Sequence, residues 1–225
     1  MTVRVPGRLH VLTDETLQSR FSHLELASLA IEGGADVVQF REKRSRPRAA
    51  LVELVREIAG CVHDAHAILV VNDRVELALE AGADGVHLGA GDAAPGFARG
   101  LLGPRAWIGG TANDLERVRK IAGTPLDYLG VGPVFGTSSK FPSVPPLGLL
   151  GLRRIVNATD RPVVAIGNLT PDRVASVLAA GAHGVAVLSD VVCHADPAGR
   201  VRQFVEALER GPGSGNRREE QRVVG

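Results

Sequence analysis

Short apolar runs alternate along this chain with longer stretches whose apolar positions recur at helical spacing. Eight runs read as strands: RLHVLTD at 8–14, DVVQFREK at 36–43, AILVVND at 67–73 and GVHLG at 85–89, then AWIGGTA at 106–112, YLGVGPVF at 128–135, PVVAIGNL at 162–169 and GVAVLSDV at 184–191. Between them, LELASLAIEGGA, RAALVELVREIAGCVHDA, DLERVRKIAG, LGLLGLRRIVNA and TPDRVASVLAAGA read as amphipathic helices, several closing on Gly as a helix C-terminus prefers. The strands are apolar nearly throughout, which suits a parallel sheet covered on both faces. Strand and helix in alternation give an α/β class, and eight such units suit a closed (β/α)8 TIM barrel in a single domain, residues 1–210. The rival open doubly wound sheet calls for a Gly-rich turn after its first strand, and VLTDETLQS is not one. EGGADVVQF, EAGADGVHL and AAGAHGVAV write the same helix-to-strand joint three times, as a barrel of similar units should. From Gly211 the sequence becomes polar and Gly-rich, and 211–225 is expected to be a disordered tail.

Charge narrows the function classes. Among 225 residues, 26 Lys+Arg face 25 Asp+Glu, a formal net charge of +1 with no basic stripe. That balance argues against a nucleic-acid partner or a membrane surface and leaves small molecules as the expected ligands. No long apolar segment follows the N-terminal charges, so neither a signal peptide nor a membrane span is expected, and the cytoplasm is the expected location. Cys61 and Cys193 form no C-x-x-C pair and read as buried, reduced thiols. The histidines show no zinc-ligand spacing, and His87 reads as a hydrogen-bonded structural residue. The oligomeric state is left open, a homo-oligomer included.

In such a barrel the chemistry sits where strands end, because all eight C-terminal ends converge on one face. The second strand would offer Gln39, Arg41 and Lys43 at alternate positions, turned to one side together. The third offers Asn72 and Asp73, the fourth leads to Asp92, and the fifth to Thr111 and Asn113. GTSSK after the sixth brings Thr137, Ser139 and Lys140; the seventh ends at Gly167 and Asn168, and the eighth at Leu188 and Ser189 before a short helix. Asp73 and Asp92 are hard oxygen donors on neighbouring strand ends and suit Mg²⁺ held between them. Arg41, Lys43 and Lys140 supply the cations that a diphosphate wants. The Gly-containing turns after strands six to eight can present N–H groups to a second phosphate. Taken singly, each Asp also reads as a helix cap, and Arg41-Glu42-Lys43 as a solvated charge cluster.

VVQFREK, VNDR, GADGVHLG, GVGPVFGTSSK and AIGNLTPDRV with AGAHGVAVLSDV together resemble the family of thiamine-phosphate synthase and the related thiazole tautomerase, over residues 8–208. The resemblance implies a barrel enzyme that joins hydroxymethylpyrimidine diphosphate to a thiazole phosphate and releases diphosphate, with Mg²⁺ required. It puts Gln39, Arg41, Lys43, Asn72, Thr111 and Lys140 around the pyrimidine diphosphate, with Arg41, Lys43, Lys140 and Thr111 in the catalytic part. It puts Asp73 and Asp92 on Mg²⁺, and Thr137, Ser139, Gly167, Asn168, Leu188 and Ser189 at the thiazole phosphate. It also implies that the bond to diphosphate breaks early and that the thiazole nitrogen captures the resulting pyrimidine cation. Four positions depart from the family pattern: Ala90 for a Gln, Asn168 for a Gly, Ser139 for a Thr, and Asn113 for a His. The last weighs against the tautomerase, whose acid/base is thought to be that His, since Asn cannot titrate. The alternatives are this isomerase and a phosphate-binding relative without turnover.

Overall fold

The computed structural model describes residues 5–137 and 145–211. All eight apolar runs form strands: β1 (Leu9–Thr13), β2 (Val37–Phe40), β3 (Ile68–Asn72), β4 (Gly85–Leu88), β5 (Trp107–Ala112), β6 (Tyr128–Val131), β7 (Val163–Ile166) and β8 (Gly184–Val187). They pair in sequence order, every described pair is parallel, and β8 returns to β1 to close a barrel. The helices are α1 (His23–Glu32), α2 (Arg48–Asp64), α3 (Val75–Ala81), α4 (Pro95–Leu102), α5 (Leu115–Ile121), α6 (Gly148–Val156), α7 (Pro171–Ala179), α8 (Ser189–Val192) and α9 (Pro197–Arg210). This is the expected (β/α)8 TIM barrel.

Two apolar layers hold it. The larger lies between the sheet's outer face and the helices, where Val38, Leu69, Val71, Val86, Ile108 and Leu129 meet residues such as Val55, Ile58 and Val62 of α2. The smaller fills the inside of the barrel with Leu12, Tyr128, Val164, Ala186 and Leu188. Alternate strand residues face opposite ways, so each strand feeds both layers and must be apolar on both faces. Tyr128 and His87 need more interior room than a close-packed barrel leaves. Gly109 and Gly130 supply it, since a Cβ on Gly109 would collide with both rings and one on Gly130 with His87.

Two expectations are corrected. The strands stop earlier than the apolar runs, and β2 ends at Phe40. Arg41 and Lys43 therefore lie in the following loop, and strand alternation does not set their directions. Cys193 is exposed and Cys61 half-buried, so neither is the buried thiol expected, although both are free. As expected, α1 and α3 close on Gly33 and Gly82, the first in right-handed geometry and the second in the left-handed form at φ +72°. Among the described residues no helix is long and apolar enough to cross a membrane. Most of the tail from Gly211, and Ser139 and Lys140, lie outside the described residues.

Candidate active site

A cavity opens at the C-terminal ends of the strands, and its floor is polar without being charged. His10 from β1, His87 from β4 and Tyr128 from β6 meet there, with ring centroids 5.3 Å apart for His10 and Tyr128 and 5.6 Å for His87 and Tyr128. Nδ1 of His87 lies 3.2 Å from the Tyr128 hydroxyl, and its Nε2 lies 3.0 Å from Thr111 Oγ1. Burial disfavours the charged imidazole, pushing His10 down to about 3 and His87 down to about 4. Burial likewise pushes the Tyr128 phenol up. All three are neutral at pH 7. The structural reading of His87 holds as far as its hydrogen bonds go, yet its ring also faces the cavity.

On one side the wall carries Gln39, Arg41, Asn72, Thr111 and Asn113. Beyond it, Lys43 donates to Asp73 Oδ2 at 2.7 Å, and Asp73 and Asp92 stand close together on the rim of an adjoining cleft. Asp73 sits at φ +68°, a left-handed conformation that Asp tolerates better than most residues, while its N–H donates to the His87 carbonyl at 2.9 Å. Burial raises its carboxyl, but the hydrogen bonds with Lys43 and Asp92 and the Lys43 charge together hold it below the usual carboxylate range. For Asp92 the outcome is reversed: burial and the neighbouring Asp73 push its carboxyl up, against the N–H of Gly89 that donates at 2.6 Å. Two carboxylates this close disfavour each other's charge, and a cation between them relieves that repulsion.

The opposite side gathers Thr137, Gly167, Asn168, Leu188 and Ser189 on the same cavity. Gly167 has φ +111° and Asn168 φ +49°, so this turn runs through two successive left-handed residues. Asn168 is accommodated by its own contacts: its Nδ2 donates to the Phe135 carbonyl at 3.4 Å, and Arg173 Nη1 donates to its carbonyl at 2.6 Å. Asp190 also lines this corner, but Arg200 grips it through two hydrogen bonds of 2.7 and 3.0 Å, which offsets a charge that would repel an anion.

The structure thus brings together Gln39, Arg41, Asn72, Thr111, Thr137, Gly167, Asn168, Leu188 and Ser189 around one cavity, with Lys43, Asp73 and Asp92 on the adjoining rim. Sequence reasoning missed the floor residues His10 and Tyr128, and the acids around the β1 and β2 loops. Asp14, directly after β1, is fully buried and pairs with Arg41. The same position relative to a strand had singled out Asp73, and applying that rule to β1 would have found Asp14. Nearby, Glu15, His23 and Glu42 place possible ligand atoms within 4.8 Å of one another. Arg44 and Arg46 pair with both glutamates, however, so this group is an ion-pair network around the β2–α2 loop.

Comparison with known proteins follows the same line. The family described as thiamine monophosphate synthase matches residues 9–191. The thiamine-phosphate synthase of Salinibacter ruber is 46% identical over 203 residues, covering 90% of this chain and 89% of that one. The thiamine-phosphate synthase of Moorella thermoacetica is 42% identical, covering 91% of this chain and 97% of its own. Among solved structures, the thiamine phosphate pyrophosphorylase of Pyrococcus furiosus superposes with a TM-score of 0.80 at 34% identity, covering 90% of this chain and 95% of that one. A 3-hexulose-6-phosphate synthase, at 17% identity and a TM-score of 0.65, shares the fold alone.

Proposed function

This chain belongs to the thiamine monophosphate synthase family, and from that premise we propose that it is a transferase that joins hydroxymethylpyrimidine diphosphate to hydroxyethylthiazole phosphate. The products are thiamine phosphate and diphosphate. One observation carries the reading: an uncharged floor of His10, His87 and Tyr128 lies between a cationic and carboxylate wall and a left-handed turn backed by α8. Such a floor suits a heteroaromatic ring, and the two flanks suit two separate phosphate groups.

Arg41 and Lys43 hold the diphosphate, with Gln39, Asn72 and Thr111 completing that side; Lys140 joins them from beyond the described residues. The C–O bond to diphosphate breaks with its electron pair leaving on the diphosphate. The thiazole nitrogen gives its lone pair to the pyrimidine methylene carbon, and a C–N bond forms. An aromatic nitrogen needs no base to activate it, which fits a floor whose histidines are already neutral. Preplaced cations lower the barrier because negative charge grows on the departing oxygens. Thr137, Ser139, Gly167, Asn168, Leu188 and Ser189 hold the thiazole phosphate, partly through backbone N–H groups.

The Asp73–Asp92 pair fits a hard divalent cation, since it offers two carboxylates side by side with Lys43 as the cation set against them. A bound Mg²⁺ would neutralise charge on the leaving diphosphate. The thiazole tautomerase is the weaker reading. Asn113 lines the cavity where that reaction would want a titrating group, and His87 is too weak a base at about 4.

The deciding assay supplies both substrates with Mg²⁺ or with excess chelator and follows thiamine phosphate through its fluorescent oxidation product. Product that depends on Mg²⁺ is expected, with Asp73→Ala and Asp92→Ala each lowering kcat/KM by on the order of 100-fold. No product under either condition overturns the synthase, and equal product in chelator overturns the metal role.

A further inference from the structure

Arg41 is the more enclosed of the two described cations of the diphosphate wall, and it does not stand alone. Its side chain is 15% exposed, and burial pushes its guanidinium down from its ordinary value. The carboxylate that pairs with it, Asp14, has no exposed side-chain surface. Asp14 is fixed in turn, because its Oδ1 accepts from the Thr16 N–H at 2.6 Å and from Thr16 Oγ1 at 2.5 Å. That leaves Oδ2 to Arg41. One oxygen is tied to the backbone after β1, and the other holds a guanidinium that lines the cavity from the loop after β2.

Resting on the synthase reading above, we propose that Asp14 is a positioning residue that holds Arg41 in the orientation the diphosphate requires. Strand pairing does not set its direction, since β2 ends one residue before Arg41. The loop's other anchor works on the next residue: Glu42 is 7% exposed and accepts from the Arg44 N–H at 2.8 Å and from Arg46 Nε at 2.6 Å. Glu42 is thereby held among its own partners, while Arg41 meets Asp14 and Lys43 meets Asp73. A guanidinium held this way spends no freedom when the substrate arrives. A free one finds the ground-state diphosphate almost as well by charge alone, but meets the growing charge of the transition state less well aligned. Asp14 therefore acts on kcat more than on KM.

The test is a double-mutant cycle with Asp14→Asn and Arg41→Gln, read by kinetics and by nitrogen NMR of the arginine guanidinium groups. Asp14→Asn is expected to lower kcat about 10- to 100-fold, the range in which supporting partners of a functional group act, with KM changed less than about threefold. In the Arg41→Gln background the same substitution should change kcat less than about twofold. If Arg41→Gln fails to fold, Arg41→Lys takes its place in the cycle. The NMR arm needs no turnover: the resonance that Arg41→Gln removes should show hindered Nη rotation in the wild type and lose it in Asp14→Asn. An unchanged Arg41 resonance in Asp14→Asn overturns the proposal, as does a loss of kcat that persists in full without Arg41. A wild-type protein that makes no thiamine phosphate would overturn the synthase reading instead, and the Arg41 resonance would still decide whether Asp14 holds it.

Discussion

Gly167 tolerates no side chain for two separate reasons. Its φ of +111° lies where L residues rarely go, and a Cβ there would sit 2.5 Å from Cα of Pro133, a backbone atom that cannot swing aside. Gly167→Ala must therefore move the turn that faces the proposed thiazole phosphate. The expected result is a rise of at least about tenfold in KM for the thiazole phosphate with little change for the pyrimidine diphosphate, at a stability cost of about 2 kcal/mol. Steady-state kinetics varying each substrate in turn, with urea unfolding beside them, checks both halves. An equal rise for both substrates would mean that the turn serves the whole cavity and not one phosphate. Residues of this kind were legible in the sequence because glycines and charged groups past a strand end are conspicuous. Tyr128 was not, because a Tyr opening an apolar strand reads as core, which Tyr128 also is. Asp14 stood at a legible position directly after β1, but an Asp before Glu-Thr also reads as a cap.

The helix-to-strand joint that repeats along the chain has a structural cause at the level of elements. Asp36, immediately before β2, accepts from the N–H groups of Arg8 and Leu9 at 2.8 Å each. Asp84, before β4, accepts from the Leu69 N–H at 2.8 Å, and Asp127, before β6, accepts from the Ile108 N–H at 2.7 Å. Each carboxylate thus satisfies the start of the preceding strand and pins two neighbours in register at the end of the barrel away from the site. His183 takes the corresponding place before β8, but its Nε2 pairs with the Pro6 carbonyl instead. Asp127 is the best enclosed of the three acids for a test, with Arg99 2.8 Å away as a second partner. Asp127→Ala should cost about 2 kcal/mol of stability, the scale of a hydrogen bond to a charged group, and leave kcat and both KM values unchanged. A kinetic effect at full folding would show that the two ends of the barrel are coupled. The pattern of elements was readable because every strand is buried on both faces. Their ends were not, because apolar character continues past the last ladder hydrogen bond: β6 stops at Val131 while Val134 remains fully buried.

At the scale of the molecule, the barrel keeps neutral what water would leave partly charged. In the unfolded chain each imidazole titrates near 6.5, whereas in the fold burial brings His10 to about 3 and His23 and His87 to about 4. Between those values the unfolded chain binds protons that the barrel refuses. Stability from these groups is therefore complete above about pH 6.5 and falls as the pH drops toward 4. Each histidine contributes a slope of about 1.4 kcal/mol per pH unit in that window. Asp92, whose carboxyl is raised, acts in the opposite sense. Asp73, whose carboxyl is lowered, adds to the loss only once the pH reaches the ordinary carboxylate range, so the window above it belongs mainly to the histidines. Urea unfolding from pH 7 to pH 5 should show a steadily falling midpoint at constant m. His87→Gln, which keeps a polar group beside Thr111 and Tyr128 but cannot take a proton, should flatten the slope by about one histidine's share. An undiminished slope in that variant would mean that His87 is charged in the folded barrel. The uncharged floor on which ring binding depends would then have to be abandoned.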